Sequence, residues 1–257
     1  MTHSALHIES IGEGRDLIML HGWGMNSAVF APLQQQLSGF RVHYVDLPGF
    51  GHSQQLAGDI NTWVEHLINR LPTNAIWLGW SMGGLIATQA ALAYPDKVTG
   101  LITVASSPYF VANAEQSWPG IDPKVLAMFA NQLDVDVKAT IEHFLAIQAM
   151  GSQHAKQDIK KFKHQVLSRP LPHKAALEQG LGFLQQVDLR EQLHNIEQPW
   201  LRIWGRLDGI VSRHVPPQMP IHHEAVYDVI MKQASHAPFV SHQQEFVDVL
   251  LEWLKKL

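Results

Sequence analysis

Three residues of this 257-residue chain have the types and the flanking sequence to act together on an acyl group: Ser81, Asp208 and His236. A serine hydroxyl is a poor nucleophile until a base within hydrogen-bond reach takes its proton, and the base needs an acid to orient it. Ser81 lies in Leu78-Gly79-Trp80-Ser81-Met82-Gly83-Gly84. That stretch fits G-x-S-x-G, a strand-to-helix turn so tight that the serine is pushed out on a strained backbone. Gly79 and Gly83 suit positions where strand and helix pass too closely for a side chain. Asp208 comes just after the predicted strand Trp200 to Gly205, and His236 after another, Ala225 to Ile230. All three therefore follow predicted strands, and in an open parallel sheet ligands bind at the carboxyl ends of the strands. Acyl transfer also requires two N–H donors for the oxyanion. Met82, next to Ser81, would supply one, and Trp23, in the loop after the strand ending at Leu20, the other. Serine at the elbow excludes the epoxide-hydrolase and haloalkane-dehalogenase mechanisms, which need an aspartate there.

The elements that must position these residues can be read in order. Leu6, Ile8 and Ile11 suggest a first strand, and Asp16 to Leu20 a buried one, running into the glycine-rich loop His21-Gly22-Trp23-Gly24. Ser27 is a candidate N-cap for a helix to Leu37. Arg41 to Val45 reads as a strand, Asn61 to Arg70 as a helix, and Ala75 to Leu78 as a fully apolar strand before the elbow. Leu85 to Ala93 is rich in strong helix formers and ends before Pro95. Val98 to Ala105 is a further strand. Strands alternating with helices predict a parallel sheet. From about Pro108 the alternation stops, and proline-punctuated helical patterns continue to Val187. The expected division is an α/β core of residues 1–107 and 188–257 with a helical lid of residues 108–187 inserted into it. Trp118, Met128, Phe129, Phe144, Met150 and Phe183 are candidates for the roof of an apolar pocket. Gln243 to Lys256 closes the chain as an amphipathic helix.

Composition narrows the chemistry. The chain has no cysteine, which excludes disulfides, zinc–thiolate sites and a cysteine nucleophile. Sixteen histidines show no metal-ligand spacing, and pairs such as His222-His223 suit solvated loops, so neither metal nor cofactor is expected. The net charge of −4 speaks against a nucleic-acid partner. Neither a signal peptide nor an apolar run long enough for a membrane span is visible. A cytoplasmic protein acting on small-molecule esters is the expectation; a monomer is expected as well, although nothing in the residues sets the oligomeric state.

The order Ser, Asp, His is that of the α/β-hydrolases, and with these residues in view the whole chain resembles that family. More narrowly it resembles the carboxylesterases of biotin synthesis. The narrower resemblance rests on two stretches in the insertion, Ser117-Trp118-Pro119-Gly120-Ile121 and Phe144 to Gly151, where the superfamily diverges. The motifs around His21, Asp46 and His236 are shared more widely. The resemblance implies hydrolysis of the methyl ester of pimeloyl-[acyl-carrier protein], with release of methanol. It implies that Trp23, Ser81, Met82 and His236, with Phe144, Leu145, Ala146, Ile147 and Gln148, bind the acyl chain and its ester.

It also implies an acidic carrier protein as partner. Between Lys138 and Lys174 seven Lys or Arg face two acids, in a chain that is acidic overall. In the family the lid tends to carry arginines; here Lys138, His143, Lys156 and Lys160 are the candidates for docking, and lysine holds carboxylate and phosphate with less geometric definition. Other readings of the same triad are a broad short-chain carboxylesterase, a thioester or carbon–carbon hydrolase, or a slow-turnover ligand receptor, because fold and triad do not specify substrate.

Overall fold

A computed structural model describes residues 5–148, 155–219 and 224–257. His222, His223 and Met150 lie outside the described residues. Seven strands form one sheet: β1 (Ile8–Ile11), β2 (Arg15–Leu20), β3 (Phe40–Val45), β4 (Ala75–Trp80), β5 (Val98–Val104), β6 (Trp200–Gly205) and β7 (Val226–Met231). Their spatial order is β1-β3-β2-β4-β5-β6-β7. Only β1 runs antiparallel, on β3; every other pairing is parallel. Strand β4 is buried along its full length, as its unbroken apolar sequence requires of a central parallel strand.

The core helices are α1 (Ile60–Ile68), α2 (Met82–Ala93), α7 (Pro238–Ser241) and α8 (Gln243–Leu254). Helix α2 is buried nearly all round, which explains its lack of an amphipathic stripe. Among the described residues four α-helices stand between β5 and β6: α3 (Pro123–Val135), α4 (Val137–Gln148), α5 (Ala155–Val166) and α6 (Lys174–Gln186). Among the described residues no helix is long and apolar enough to cross a membrane.

One expected helix is shorter than its sequence suggested. Ser27–Leu33 forms a 3₁₀ helix that does not reach Leu37. Pro32 lies inside it, with no N–H to give and a ring that crowds the preceding turn. Its cap is Asn26, whose side chain accepts from the Ala28 amide, and not Ser27, whose own amide is held by Asp46 at 2.8 Å.

The roof candidates divide. Phe129 and Phe144 pack on Trp23, at 6.2 and 4.8 Å between ring centroids. Phe183 instead meets Trp63 edge-on at 5.0 Å and fastens α6 to α1. Trp118 is buried by its own loop, donating to the Tyr109 carbonyl at 2.9 Å. Met128 is 42% exposed and roofs nothing. Its i+1 neighbour Phe129 takes the inward side of α3, and on a helix adjacent positions diverge by about 100°.

Candidate active site

The parallel register sets the carboxyl ends of the strands side by side. Leu20 pairs with Gly79, Gly79 with Thr103, and Gly205 with Met231. The turn after β4 is therefore flanked by the loop leaving β2 and the loop leaving β5. The Ser81 amide donates to the Val104 carbonyl at 2.9 Å. Ser81 itself has φ +55° and ψ −119°, a strained conformation for a residue with a side chain. The glycines allow this turn: a Cβ on Gly79 would lie 2.1 Å from the Gly83 carbonyl oxygen, and one on Gly83 2.3 Å from that of Leu20. Ser106, just after β5, donates from its hydroxyl to the Ser81 carbonyl at 2.7 Å and braces the turn from outside.

The loops leaving β6 and β7 run together, with the Leu207 amide donating to the Ala234 carbonyl at 3.0 Å. They bring Asp208 beside His236. Asp208 Oδ2 accepts from His236 Nδ1 at 2.8 Å, while Oδ1 accepts from the amides of Ile210 and Val211. A carboxylate can only accept, so the proton sits on Nδ1 and leaves Nε2 as an acceptor. His236 Nε2 stands 3.0 Å from Ser81 Oγ, in position to accept its hydrogen. All three side chains are buried. The structure thus brings Ser81, His236 and Asp208 together.

The same three residue types meet once more. Ser10 Oγ lies 2.8 Å from His43 Nδ1, and His43 Nε2 2.7 Å from Asp16 Oδ1. Here the serine is in mid-strand, its neighbours are committed to the β1–β3 ladder, and no helix begins beside it. A hydrogen-bonded trio without a strained turn and unengaged amides has nothing to hold an oxyanion.

Around Ser81 those amides exist. Neither the Trp23 nor the Met82 N–H donates to a backbone acceptor among the described residues. Trp23 is fixed by its indole, which donates to the Leu177 carbonyl of α6 at 2.8 Å. Helix α6 comes so close here that a Cβ on Gly180 would lie 2.8 Å from Met82 Sδ and 2.9 Å from Trp23 Cδ1. From the other side Phe144 of α4 covers the Trp23 ring. Of the five expected acyl-binding positions on α4, Phe144, Leu145 and Gln148 are buried, while Ala146 and Ile147 are only partly so. Gln148 is 1% exposed, and neither its amide nitrogen nor its oxygen has a hydrogen-bond partner among the described residues. A buried, unpaired carboxamide is costly, so it marks a place where a ligand's polar group can be received.

Sequence reasoning did not find the group that ties this assembly to the core. Arg169, after α5, places Nη1 2.8 to 2.9 Å from both carboxylate oxygens of Asp46 and 2.8 Å from Ser27 Oγ, and Nη2 3.2 Å from Glu9. Burial disfavours the Asp46 charge, but the His21 ring, the His52 and Ser27 amides and Arg169 outweigh it and hold its pKa below the usual carboxylate range. Next to it, His21 is fully buried, and loss of hydration pulls its pKa down to about 4 against the opposing effect of Asp46. Its Nε2 accepts from the Leu47 amide at 3.0 Å and its Nδ1 donates to the Gly22 carbonyl at 2.8 Å, so the neutral ring fits its partners.

A stability prediction follows from His21. Between pH 6.5 and 4 the unfolded chain takes up a proton there and the folded chain does not, so stability falls as pH falls across that window. The contribution is about 3 kcal/mol. Urea unfolding at pH 7 and pH 4 should show the loss in the wild type and a shallower dependence in His21→Asn. Parallel curves would assign the acid sensitivity to another group.

Comparison with known proteins agrees with this architecture. The family described as "alpha/beta hydrolase fold" matches residues 17–243. The chain is 63% identical over 252 residues to the pimeloyl-[acyl-carrier protein] methyl ester esterase of Shewanella oneidensis, covering 98% of this chain and 95% of that one. It is 51% identical to the protein of that name from Photobacterium profundum, over 98% of this chain and 99% of that one. Among solved structures, an esterase from Exiguobacterium antarcticum superposes with a TM-score of 0.87 at 24% identity, covering 98% of this chain and 96% of the other. MenH from S. aureus does so at 0.78 and 21%, covering 100% and 99%, and these two likenesses show the fold alone. By a family match spanning most of its length and by near-full-length relatives, the chain belongs to the α/β-hydrolase family and, within it, to the pimeloyl-[acyl-carrier protein] methyl ester esterases.

Proposed function

We propose that the protein is a serine carboxylesterase that hydrolyses the methyl ester of pimeloyl-[acyl-carrier protein], with α3 to α6 acting as a lid over Ser81. The observation that carries the reaction type is the hydrogen-bonded chain Asp208–His236–Ser81 on a strained turn, beside two amides that have no backbone acceptor among the described residues. The substrate follows from relatives as similar as 63% over nearly the whole chain, which bear that name.

In this reading Ser81 Oγ attacks the ester carbonyl while His236 Nε2 takes the hydroxyl proton. The Trp23 and Met82 amides receive the oxyanion of the tetrahedral intermediate. Its collapse expels the methoxy group, which leaves as methanol with the proton from His236, and an acyl-serine remains. Water then attacks that ester, giving its proton to His236, and a second collapse frees the carboxylic acid and restores the Ser81 hydroxyl. Asp208 keeps His236 in the required tautomer and stabilises the imidazolium that forms twice per cycle. Phe144 and Leu145 line the acyl site, and Gln148 offers its unpaired amide to a polar group of the chain.

Lid charge supports an acidic carrier as partner, on fewer residues than a count suggests. Arg169 is committed to Asp46, Lys163 to Glu142 at 3.0 Å, and Lys174 to Asp134 at 2.7 Å. Lys138, His143, Lys156, Lys160 and Lys161 remain exposed. On α5 the side opposite the buried Phe162 and Val166 forms a groove of about 430 Å³ lined by Gln157, Lys160, Lys161, His164 and Gln165. A basic face there would raise the encounter rate with an acidic carrier protein. Such a partner also suits the cytoplasm as the place of action.

The deciding experiment compares kcat/KM for the carrier-bound methyl ester with that for a small p-nitrophenyl ester, at low and high salt. A preference for the carrier-bound ester that fades with salt is expected. Lys156→Glu with Lys160→Glu should lower the carrier-bound value by about tenfold or more and spare the small ester. Equal rates, indifferent to salt, would leave a general carboxylesterase with a solvated lysine face.

A further inference from the structure

Trp80, the residue between Gly79 and Ser81, is fully buried and touches the His236 loop, the loop at Gly22 and α5. Its indole Nε1–H donates to the backbone carbonyl of His236 at 2.7 Å. Among the described residues no backbone N–H donates to that carbonyl, because the bonds of the following turn begin at Ala237. The loop carrying His236 is thus pinned at that residue by a side chain from the elbow. The indole also lies 5.7 Å from the His236 ring and meets Phe239 of α7 edge-on at 5.1 Å. On another side it faces the loop that holds Trp23: a Cβ on Gly22 would sit 3.3 Å from Trp80 Cε3 and 3.3 Å from Ser81 Cβ. Its face lies parallel to Phe162 of α5, 6.0 Å away and 7° from coplanar.

We infer that Trp80 is a positioning residue for the reaction: its N–H holds the His236 loop against the elbow, and its contact with Phe162 makes that alignment depend on the seating of α5. The inference rests on His236 being the base of the proposed esterase. A base displaced by a fraction of an ångström loses much of its effect, because proton transfer and attack require near-contact geometry. The Nε1–H is buried and already engaged by the His236 carbonyl, so the loss should fall on kcat.

The test is removal of that N–H with the ring kept. Replacing Trp80 with 3-benzothienylalanine, which carries sulfur in place of the N–H, preserves shape and packing; Trp80→Phe is the simpler companion. With a small p-nitrophenyl ester, kcat should fall by about ten- to a hundredfold while KM stays within about twofold. The low-field proton resonance of His236 Nδ1–H should shift or broaden in both variants. Phe162→Leu should lower kcat less, and its effect should shrink when Trp80 is already replaced. Unchanged kcat and an unchanged resonance in the benzothienyl variant would overturn the inference while leaving the esterase reading in place. A wild type inert toward esters would overturn that reading. The resonance, read without substrate, would still decide whether Trp80 fixes His236.

Discussion

Ser81→Ala should abolish ester hydrolysis, with an expected fall in kcat of up to about a million-fold, the scale on which removal of a triad serine acts. The size of the loss follows from what is left. Without Oγ, His236 has no proton to take from the protein, and the Trp23 and Met82 amides face a carbonyl that nothing attacks, so only binding and weak polarisation remain. The fold should be indifferent to the change. Among the described residues Ser81 Oγ is hydrogen-bonded to His236 alone, whereas the Ser81 amide and carbonyl, which hold the turn, bond to Val104 and Ser106 through atoms that alanine keeps. Alanine also has the same Cβ, so the strain of φ +55° is unchanged. Steady-state rates, labelling by a fluorophosphonate and a thermal melt check the three statements together. Activity within tenfold of wild type in a folded variant would move the nucleophile elsewhere.

Arg169→Met should be the most destabilising single change outside the hydrophobic core. It leaves the Asp46 carboxylate, whose side chain is 0% exposed, without its counter-charge, and breaking a buried pair from one side costs about 3–5 kcal/mol. The Ser27 and His52 amides still donate to Asp46, so the lower end of that range is expected. In a chain of this length the melting temperature should drop by about 6–12 °C. The pH dependence gives a second check. With its folded pKa depressed, Asp46 contributes stability that is present above the usual carboxylate range and lost as pH falls through the folded value. In the variant one of the groups that hold the Asp46 pKa down is gone and the carboxyl is easier to neutralise, so the gap to wild type should narrow as pH falls below about 4. Arg169→Met combined with Asp46→Asn should recover part of the loss, because no uncompensated charge remains. A single variant as stable as wild type at pH 7 would show that the pair only balances its own desolvation. Because Arg169 and the Asn26 bond to the Val166 carbonyl anchor the end of α5, the single variant should also loosen Phe162 from Trp80.

Much of the Ser81–His236–Asp208 arrangement was legible along the chain because its signals are local. An unbroken apolar run before a glycine-flanked serine describes β4 and the elbow wherever the rest of the chain goes, and strands that alternate with helices leave few sheets to build. Asp208 and His236 could be chosen because each directly follows a strand, so chain order alone puts them at the same edge as Ser81. The partners of charged and amphipathic groups were a different matter. Arg169 counted with the lid's basic residues until the fold set it against Asp46, 123 positions away. Ser27 read as a cap until Asp46 took its amide and Asn26 the capping role. Met128 and Phe129 read alike as roof residues until the axis of α3 turned one outward and the other onto Trp23. Trp80 read as the variable letter of a motif, yet its N–H reaches a carbonyl 156 residues on. Periodicity and turn chemistry act over a few residues, so sequence order records them. A buried charge or N–H is satisfied by whatever the folded chain brings within about 3 Å, and only the tertiary structure selects that partner.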